Sequence, residues 1–174
     1  MNNILITGVS GTGKSTICKQ LTNFGYKAYD IENIEGLFEI YHKGTKNIFV
    51  DYDNSKPENI KNAEWLCDEI KLKAFIEDQK SDIVFYCGIA SNMDNILKFF
   101  DKVIVLQPDS NTLNLRLKNR EGTNDIGNNQ EGRDVVLGWK DWWEGEMYKK
   151  GAILVNANKT PEELTKEILS ILKI

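Results

Sequence analysis

The stretch Gly8-Val9-Ser10-Gly11-Thr12-Gly13-Lys14-Ser15 decides the fold of this chain, because it fits the pattern GxxxxGK[ST] without a gap. An apolar run at residues 4–7 leads into the stretch, and a helical pattern at residues 14–24 follows it. This strand–loop–helix context is the one that a phosphate-binding P-loop requires. A glycine-rich turn before a helix is the alternative, although chance produces the full pattern in roughly 1% or fewer of chains of this length, given average glycine usage.

Each residue type in this loop has a physical role toward a nucleotide. Glycines let the backbone curl so that successive N–H groups point at phosphate oxygens, and the helix that follows adds the positive end of its dipole. We expect Lys14 to bring a mobile charge to the β- and γ-phosphates of ATP, and the Ser15 hydroxyl to ligate Mg²⁺. The residues expected to hold ATP are Gly8, Ser10, Gly11, Thr12, Gly13, Lys14, Ser15 and Thr16.

Short apolar runs alternate with helical patterns along the chain, which predicts an α/β fold. Buried parallel strands are predicted at residues 4–7, 27–31, 83–87, 103–106 and 153–155. Steps of three and four between apolar residues predict helices between the strands, including one through Ala63, Leu66, Ile70 and Ala74. We therefore predict a single domain over residues 1–174, with three layers, α/β/α, around a five-stranded parallel sheet.

Composition excludes several classes of partner. The 22 Lys and Arg residues against 26 Asp and Glu give a net charge of −4, so the chain lacks the basic footprint of a nucleic-acid binder. No apolar run approaches the roughly 18 residues of a membrane-spanning helix. Three unevenly spaced cysteines without a CxxC pair indicate reduced thiols in a cytoplasmic protein. A small-molecule substrate is the partner that we expect.

Asp30 is the acidic residue that the sequence places at a strand end. The strands at residues 83–87 and 103–106 end without the Asp that orders Mg²⁺ in P-loop motors, which disfavours that class. The guanine-reading motif of GTPases is incomplete at residues 158–161, which disfavours a GTPase. Because the carboxyl ends of parallel strands face the ligand crevice, we expect Asp30 to hold Mg²⁺ through water or to accept the proton of an attacking hydroxyl, with Glu32 sharing the site. The alternative is that Asp30 caps a helix over residues 33–41.

Two segments of the second half resemble the adenylate-kinase-like nucleoside monophosphate kinases. Leu115-Arg116-Leu117-Lys118-Asn119-Arg120-Glu121-Gly122-Thr123-Asn124 is similar to their helix-to-lid segment, and residues 155–164 are similar to their last strand and adenine-holding loop. The resemblance implies that Arg116 packs on the adenine, that Arg120 reaches the transferring phosphates, and that Asn158 contacts the nucleotide. A solvated helix face remains the alternative for the two arginines.

The predicted lid covers residues 121–133, which are rich in Gly and Asn and nearly devoid of apolar residues. Long irregular segments in compact domains are often lids, and a solvated surface loop is the alternative. Arg133 stands at the far hinge of this segment, where closure would add its charge to the phosphoryl group and exclude water. Lys14, Asp30, Arg120 and Arg133 are therefore the predicted catalytic residues.

The acceptor side departs from the resemblance. Nucleoside monophosphate kinases grip the acceptor phosphate with arginines, but this chain has only Arg116, Arg120 and Arg133, and lysine is a poor bidentate substitute. The acidic pair Asp30 and Glu32 is similar instead to the pair found in shikimate- and gluconate-kinase-like enzymes. In those enzymes an Asp at this place binds acceptor hydroxyls. We expect a hydroxyl-bearing acceptor with little negative charge, covered by an insertion at residues 33–59 and held by Asp30, Glu32, Gly88, Ser91 and Asn92.

Three of the four tryptophans fall in a predicted helix at residues 131–149. Trp139 shares a helix face with Trp142 or Trp143 through spacings of three and four, which is usual for core residues. The alternative is a stacking wall beneath the lid, because this helix follows the lid directly.

Together these patterns predict an ATP-dependent small-molecule kinase that moves the γ-phosphate of ATP to a hydroxyl of a metabolite. A divergent nucleoside or nucleotide kinase is one alternative. A nucleotide-binding regulatory module without an acceptor is the other, because the acceptor arginines are missing.

Replacing Lys14 by alanine tests the phosphate-loop prediction. We expect Lys14→Ala to abolish the binding of ATP with Mg²⁺, because Lys14 is the only charged residue in the motif. Calorimetry of this variant and of Lys80→Ala, which removes a lysine charge outside the loop, measures the effect. Unchanged ATP affinity in Lys14→Ala would contradict the prediction.

Overall fold

The computed structural model describes residues 2–120 and 126–174. Seven strands and seven α-helices follow one another in these residues, in the order β1 (Asn2–Thr7), α1 (Lys14–Asn23), β2 (Lys27–Asp30), β3 (Phe38–His42), α2 (Pro57–Asn62), β4 (Ala63–Cys67), α3 (Glu69–Glu77), β5 (Ile83–Cys87), α4 (Met93–Ile96), β6 (Lys102–Gln107), α5 (Ser110–Lys118), α6 (Gln130–Lys149), β7 (Ile153–Asn156) and α7 (Pro161–Leu172).

Five of the strands form one parallel sheet in the order β2-β5-β1-β6-β7. The predicted fold class and strand positions are thereby confirmed, with shifts of one or two residues at the strand ends. In the register of this sheet, Asp30 lies beside Cys87, and Thr7 lies beside Val105. Because every strand runs in the same direction, all five carboxyl ends meet at one edge, where ligands of such sheets bind.

The sheet is covered by helices on both faces, as a three-layer fold requires. Successive residues of β1 point to opposite faces, so Ile4 and Ile6 pack in one core cluster while Leu5 packs in the other. The first cluster contains helix residues from α1 and α7, among them Ile17, Leu21, Leu164 and Ile168. The second contains residues from α3 and α6, among them Leu72, Ile76 and Met147. No helix in the described residues is long and apolar enough to cross a membrane.

The segment between β2 and α3 differs from the sequence prediction. The helix predicted over residues 33–41 is absent from the described residues: a 3-10 turn (Ile31–Asn33) leads into β3, which pairs antiparallel with β4. The helix predicted through Ala63 and Leu66 is also wrong. Residues 63–67 form the strand β4, and their backbone groups are hydrogen-bonded to β3 in this hairpin. A helix begins only after Asp68, whose carboxylate accepts hydrogen bonds from the backbone of α3.

Ser91 and Asn92 attach this hairpin to the main sheet. The Asn92 side chain forms two hydrogen bonds of 2.9 Å with the backbone N–H and carbonyl of Cys67. Ser91 accepts at Oγ from the Trp65 N–H at 2.9 Å and donates its own N–H to the Trp65 carbonyl at 2.7 Å. The hairpin is therefore held at the carboxyl end of β5.

Removing the Asn92 amide tests this attachment. We expect Asn92→Ala to lower the free energy of unfolding by about 1–3 kcal/mol, because the Cys67 N–H and carbonyl lose their side-chain partner. Urea denaturation of this variant and of Asn111→Ala, at an exposed position on α5, gives the comparison. Equal stability of the two variants would contradict the proposed role of Asn92.

Candidate active site

The phosphate loop connects the carboxyl end of β1 to the first turn of α1. Gly11 and Gly13 adopt left-handed backbone conformations, with φ of 87° and 103°, which glycine alone adopts without strain. A Cβ on Gly11 would lie 2.7 Å from Leu117 Cδ2, so α5 packs directly on the loop backbone. Val9 joins the apolar cluster of α5 and α6 that contains Leu113, Leu117 and Val136.

Lys14 is almost entirely buried beneath the loop. Its Nζ donates to the Gly8 carbonyl at 2.9 Å and to the Val9 carbonyl at 3.4 Å. It also lies 3.5 Å from Glu32 Oε1, and the same oxygen accepts a hydrogen bond of 3.0 Å from the Ile89 N–H. Glu32 thus joins the phosphate-loop lysine to the backbone that follows β5.

The two arginines of the α5 segment contact the phosphate loop: Arg116 is half-buried, whereas Arg120 is exposed. Arg116 donates to the Thr12 carbonyl at 3.2 Å and to the Ala157 carbonyl at 2.8 Å. Arg120 donates to Ser10 Oγ at 3.0 Å. Burial lowers the pKa of both guanidinium groups, but arginine remains protonated in proteins. Both side chains therefore bring positive charge to the cleft beside the loop.

Arg133 is not among the residues that line the cleft. It is buried, and it donates to the Gly127 carbonyl at 3.0 Å, the Asn128 carbonyl at 3.1 Å and Gln130 Oε1 at 2.9 Å. In this arrangement Arg133 holds the turn before α6, because its donors are directed at two backbone carbonyls and a side-chain amide. Residues 121–125 of the predicted lid lie outside the described residues.

The last strand leads into the loop that the resemblance assigned to adenine. Asn158 Oδ1 accepts from the Asp109 N–H at 3.0 Å, so this side chain fixes the loop and does not itself line the cleft. Lys159 and Pro161 do line the cleft together with Arg116. Lys159 and Pro161 were missed, because the sequence pattern identifies the loop without showing which of its side chains face the cleft.

Of the predicted acceptor residues, Asp30, Glu32 and Ser91 line the cleft. Asp30 makes no capping hydrogen bond to the 3-10 turn that follows it, so the helix-cap alternative is wrong within the described residues. Asn92 is engaged with the hairpin and does not line the cleft. Gly88 packs beneath the turn, because a Cβ there would lie 2.6 Å from Ile31 Cγ1. The structure gives both residues a supporting position, away from a substrate.

The cleft itself extends well beyond the phosphate loop. Its volume of about 1470 Å³ exceeds the roughly 300–1,000 Å³ of a site for one small molecule. All four tryptophans line it: Trp65, Trp139, Trp142 and Trp143. Trp139 is 41% exposed and Trp142 is 66% exposed, so the core interpretation was wrong for these two. Trp143 alone of the three on α6 packs against the core clusters.

The oxygen donors of the cleft suit magnesium. The described residues contain no group of three or more His, Cys, Asp or Glu side chains able to hold a metal ion. The Ser15 hydroxyl and the carboxylates of Asp30 and Glu32 nevertheless line the same cleft. Magnesium commonly takes only one or two protein oxygens and completes its shell with water and nucleotide phosphates. This donor set fits such an ion.

Comparison with known proteins places this site in a family context. A family model described as an AAA domain matches residues 4–136. The chain is 33% identical over 137 residues to the adenylate kinase isoenzyme 6 homolog of Plasmodium falciparum (isolate 3D7), covering 74% of this chain and 72% of that relative. In fold, shikimate kinase from Bacteroides thetaiotaomicron matches with a TM-score of 0.59 at 17% identity, over 99% of both chains. Deoxyadenosine kinase from M. mycoides matches at 0.58 and 15% identity, over 98% of both chains.

Substitution of Gly11 tests how tightly α5 holds the phosphate loop. We expect Gly11→Ala to lower the free energy of unfolding by about 1–3 kcal/mol and to weaken ATP binding. The added Cβ would clash with Leu117, and alanine would be strained in the left-handed backbone conformation of this position. Gly145→Ala is the control: nothing lies within 4 Å of its Cβ, and helix propensity should stabilise it by about 0.5–1 kcal/mol. Urea denaturation and ATP calorimetry measure both variants. A Gly11→Ala protein that matched the wild type in both would contradict this account.

Proposed function

This chain belongs to the AAA domain family, among P-loop kinases related to nucleoside monophosphate and shikimate kinases, and we propose that it transfers the γ-phosphate of ATP to a hydroxyl of a small metabolite. The observation that carries the proposal is the position of two carboxylates beside Lys14. The Glu32 carboxylate lies 3.5 Å from Lys14 Nζ, and Asp30 lines the same cleft. The two carboxylates thus border the space beside the lysine that a P-loop directs at the γ-phosphate, and an acceptor hydroxyl must approach through that space.

The phosphate-binding part acts through position and charge. The backbone N–H groups of the loop and the N-terminus of α1 hold the phosphates, while Lys14 and Arg120 neutralise the charge that builds up on the moving phosphoryl group. Arg116, fixed between the phosphate loop and Ala157, borders the adenine side. Mg²⁺, when bound near Ser15 and Asp30, supplies further charge neutralisation to the phosphates.

The acceptor part orients the attacking oxygen. In the proposed step the acceptor oxygen forms a bond to the γ-phosphorus, the bond to the ADP oxygen breaks, and ADP leaves. The hydroxyl proton passes to a neighbouring carboxylate or to water. In-line attack requires the oxygen at about 3 Å from phosphorus. We assign Asp30 to hydrogen bonding of that hydroxyl and Glu32 to fixing Lys14 and the Ile89 backbone.

The arginine positions support an uncharged acceptor. Arg116 bonds the phosphate loop and Arg133 bonds the turn before α6, so Arg120, which bonds Ser10 and lies near Glu32, is left as the arginine closest to the acceptor end. A nucleotide kinase is the second candidate, favoured by the similarity to an adenylate kinase isoenzyme 6 homolog. A regulatory module is the third candidate, and it predicts ATP hydrolysis without transfer to an acceptor.

We also propose a cytoplasmic location, since the three cysteines are free thiols.

Replacing Asp30 by asparagine tests the acceptor site. Asp30→Asn keeps the shape and removes the charge, so transfer from γ-labelled ATP to a pool of hydroxyl-bearing metabolites should fall on the order of 100-fold. ATP affinity, measured by calorimetry, should stay within a few-fold. Asp78→Asn, at an exposed position after α3, serves as the control. Normal transfer by Asp30→Asn would remove Asp30 from the site, and phosphate release without any labelled product would favour the regulatory module.

A further inference from the structure

The tryptophans of the cleft are arranged around the acceptor side of the site. The backbone of Trp65 bonds Ser91, four residues after β5, by donating its N–H to Ser91 Oγ and accepting the Ser91 N–H at its carbonyl. Lys150, just after α6, forms an ion pair of 3.0 Å with Asp94 on α4, so the end of α6 lies close to the helix that follows β5. Trp65 from the hairpin and Trp142 from α6 line the same cleft.

Trp65 carries a donor that lacks a partner. Its Nε1 is buried and has no hydrogen-bond partner among the described residues, although a buried N–H of this kind normally finds one. Its ring is packed against Phe38, with centroids 5.9 Å apart, so the indole is held in position by the hairpin. Trp65 lines the cleft, and its buried donor would be satisfied by a ligand that reaches it with a hydrogen-bond acceptor.

The exposed indoles offer flat apolar area rather than charge. Trp142 and Trp139, three residues apart on α6, present rings to the cleft at 66% and 41% exposure. Large exposed aromatic surface in a cleft usually serves binding. The rings form a surface on which another flat ring can stack, and stacking of a base on an aromatic side chain is favourable for every base.

Three cleft-lining carboxylates close to α6 already have partners. Asp94 is bonded to Lys150, Glu146 to Lys149 at 2.7 Å, and Asp134 accepts from Gln130 at 2.7 Å. A sugar or cyclic polyol would need acceptors for many hydroxyl groups. A heteroaromatic base needs instead a stacking face and a donor to a ring nitrogen or carbonyl, which are what Trp142, Trp139 and Trp65 provide.

From this arrangement, and resting on the kinase function proposed above, we propose that the acceptor is an unphosphorylated nucleoside. Its base stacks on Trp142 and Trp139 and accepts a hydrogen bond from Trp65 Nε1, while a ribose hydroxyl is directed toward Asp30. The cleft volume of about 1470 Å³ accommodates a nucleoside beside ATP. Arg116 and Arg133 donate to backbone carbonyls, which leaves Arg120, beside Ser10 and near Glu32, to face a phosphate, and this disfavours a clamp of two guanidinium groups on an acceptor phosphate.

Intrinsic tryptophan fluorescence reads out this site directly, because every tryptophan of the chain lines the cleft. Titration of the full chain with purine and pyrimidine nucleosides should give saturable quenching. Trp142→Ala should weaken the binding by about 5- to 100-fold, the range expected for loss of one stacking partner. Tyr148→Ala is the matched control: Tyr148 lies on the same helix and is also 66% exposed, but it does not line the cleft, so affinity should not change.

Trp65→Phe separates binding from structural support. An aromatic ring remains to pack on Phe38, while the pyrrole part of the indole and its unpaired donor are lost, so the melting temperature should fall only slightly. Nucleoside affinity should nevertheless fall by about 3- to 10-fold, the usual scale for one neutral hydrogen bond. A large fall in melting temperature, or an unchanged affinity, would contradict the assigned role of Nε1.

The ligand panel decides between acceptor classes. Nucleosides, the matching nucleoside monophosphates, monosaccharides and cyclic polyols are titrated in parallel. Tighter binding of monophosphates than of nucleosides, or quenching by sugars or polyols alone, overturns the inference, as does equal nucleoside affinity in Trp142→Ala and Tyr148→Ala. If nucleosides bind through Trp142 but receive no label from γ-labelled ATP, the base site stands and the kinase proposal fails. If phosphate is transferred to other hydroxyl compounds in an Asp30-dependent way and nucleosides do not bind, the kinase proposal stands and the base site fails.

Discussion

The contact between the Gly11 backbone and Leu117 determines how the nucleotide end of the molecule is built. A side chain at Gly11 would lie 2.7 Å from Leu117, so α5 can approach closely enough for its arginines to reach the loop. Arg116 then connects the Thr12 carbonyl to Ala157, and Arg120 reaches Ser10. The phosphate loop, the charged helix and the loop after β7 consequently form one unit, in which displacement of α5 would change phosphate and adenine contacts together.

The acceptor end depends on a different kind of constraint. The hairpin of β3 and β4 has no place in the parallel sheet, and it is attached at β5 by the hydrogen bonds of Ser91 and Asn92 to Trp65 and Cys67. Polar bonds can be rearranged between relatives more easily than a packed core, because the core must keep its volume. The acceptor end thus depends on a few side-chain hydrogen bonds, whereas the phosphate loop depends on close packing against α5.

The strands and the phosphate loop were predictable because local pattern determines them. Continuous apolar runs mark buried parallel strands, and the glycine spacing of the loop has few other structural meanings. The hairpin was missed because Ala63 and Leu66 fit a helical period, whereas their strand partners are distant in sequence. The positions of Asn92 and Arg133 depend on hydrogen bonds that composition does not reveal. The spacing of Trp139 and Trp142 predicted a shared face, but not that this face borders a cleft.

The strands on the two sides of β1 end differently, and this asymmetry gives the cleft its direction. At the end of β6, Gln107 donates to Glu144 at 2.8 Å, and Lys140 donates to the same oxygen at 3.0 Å. Burial lowers the pKa of Lys140, but hydrogen bonds and charges from Glu144 and Asp141 outweigh this effect and raise the pKa overall, so Lys140 keeps its charge beside Glu144. The cleft-lining carboxylates, Asp30 and Glu32, follow β2 on the other side. An acceptor hydroxyl that seeks a negative partner is therefore directed to the side of β2 and β5, where the hairpin and its tryptophan also lie.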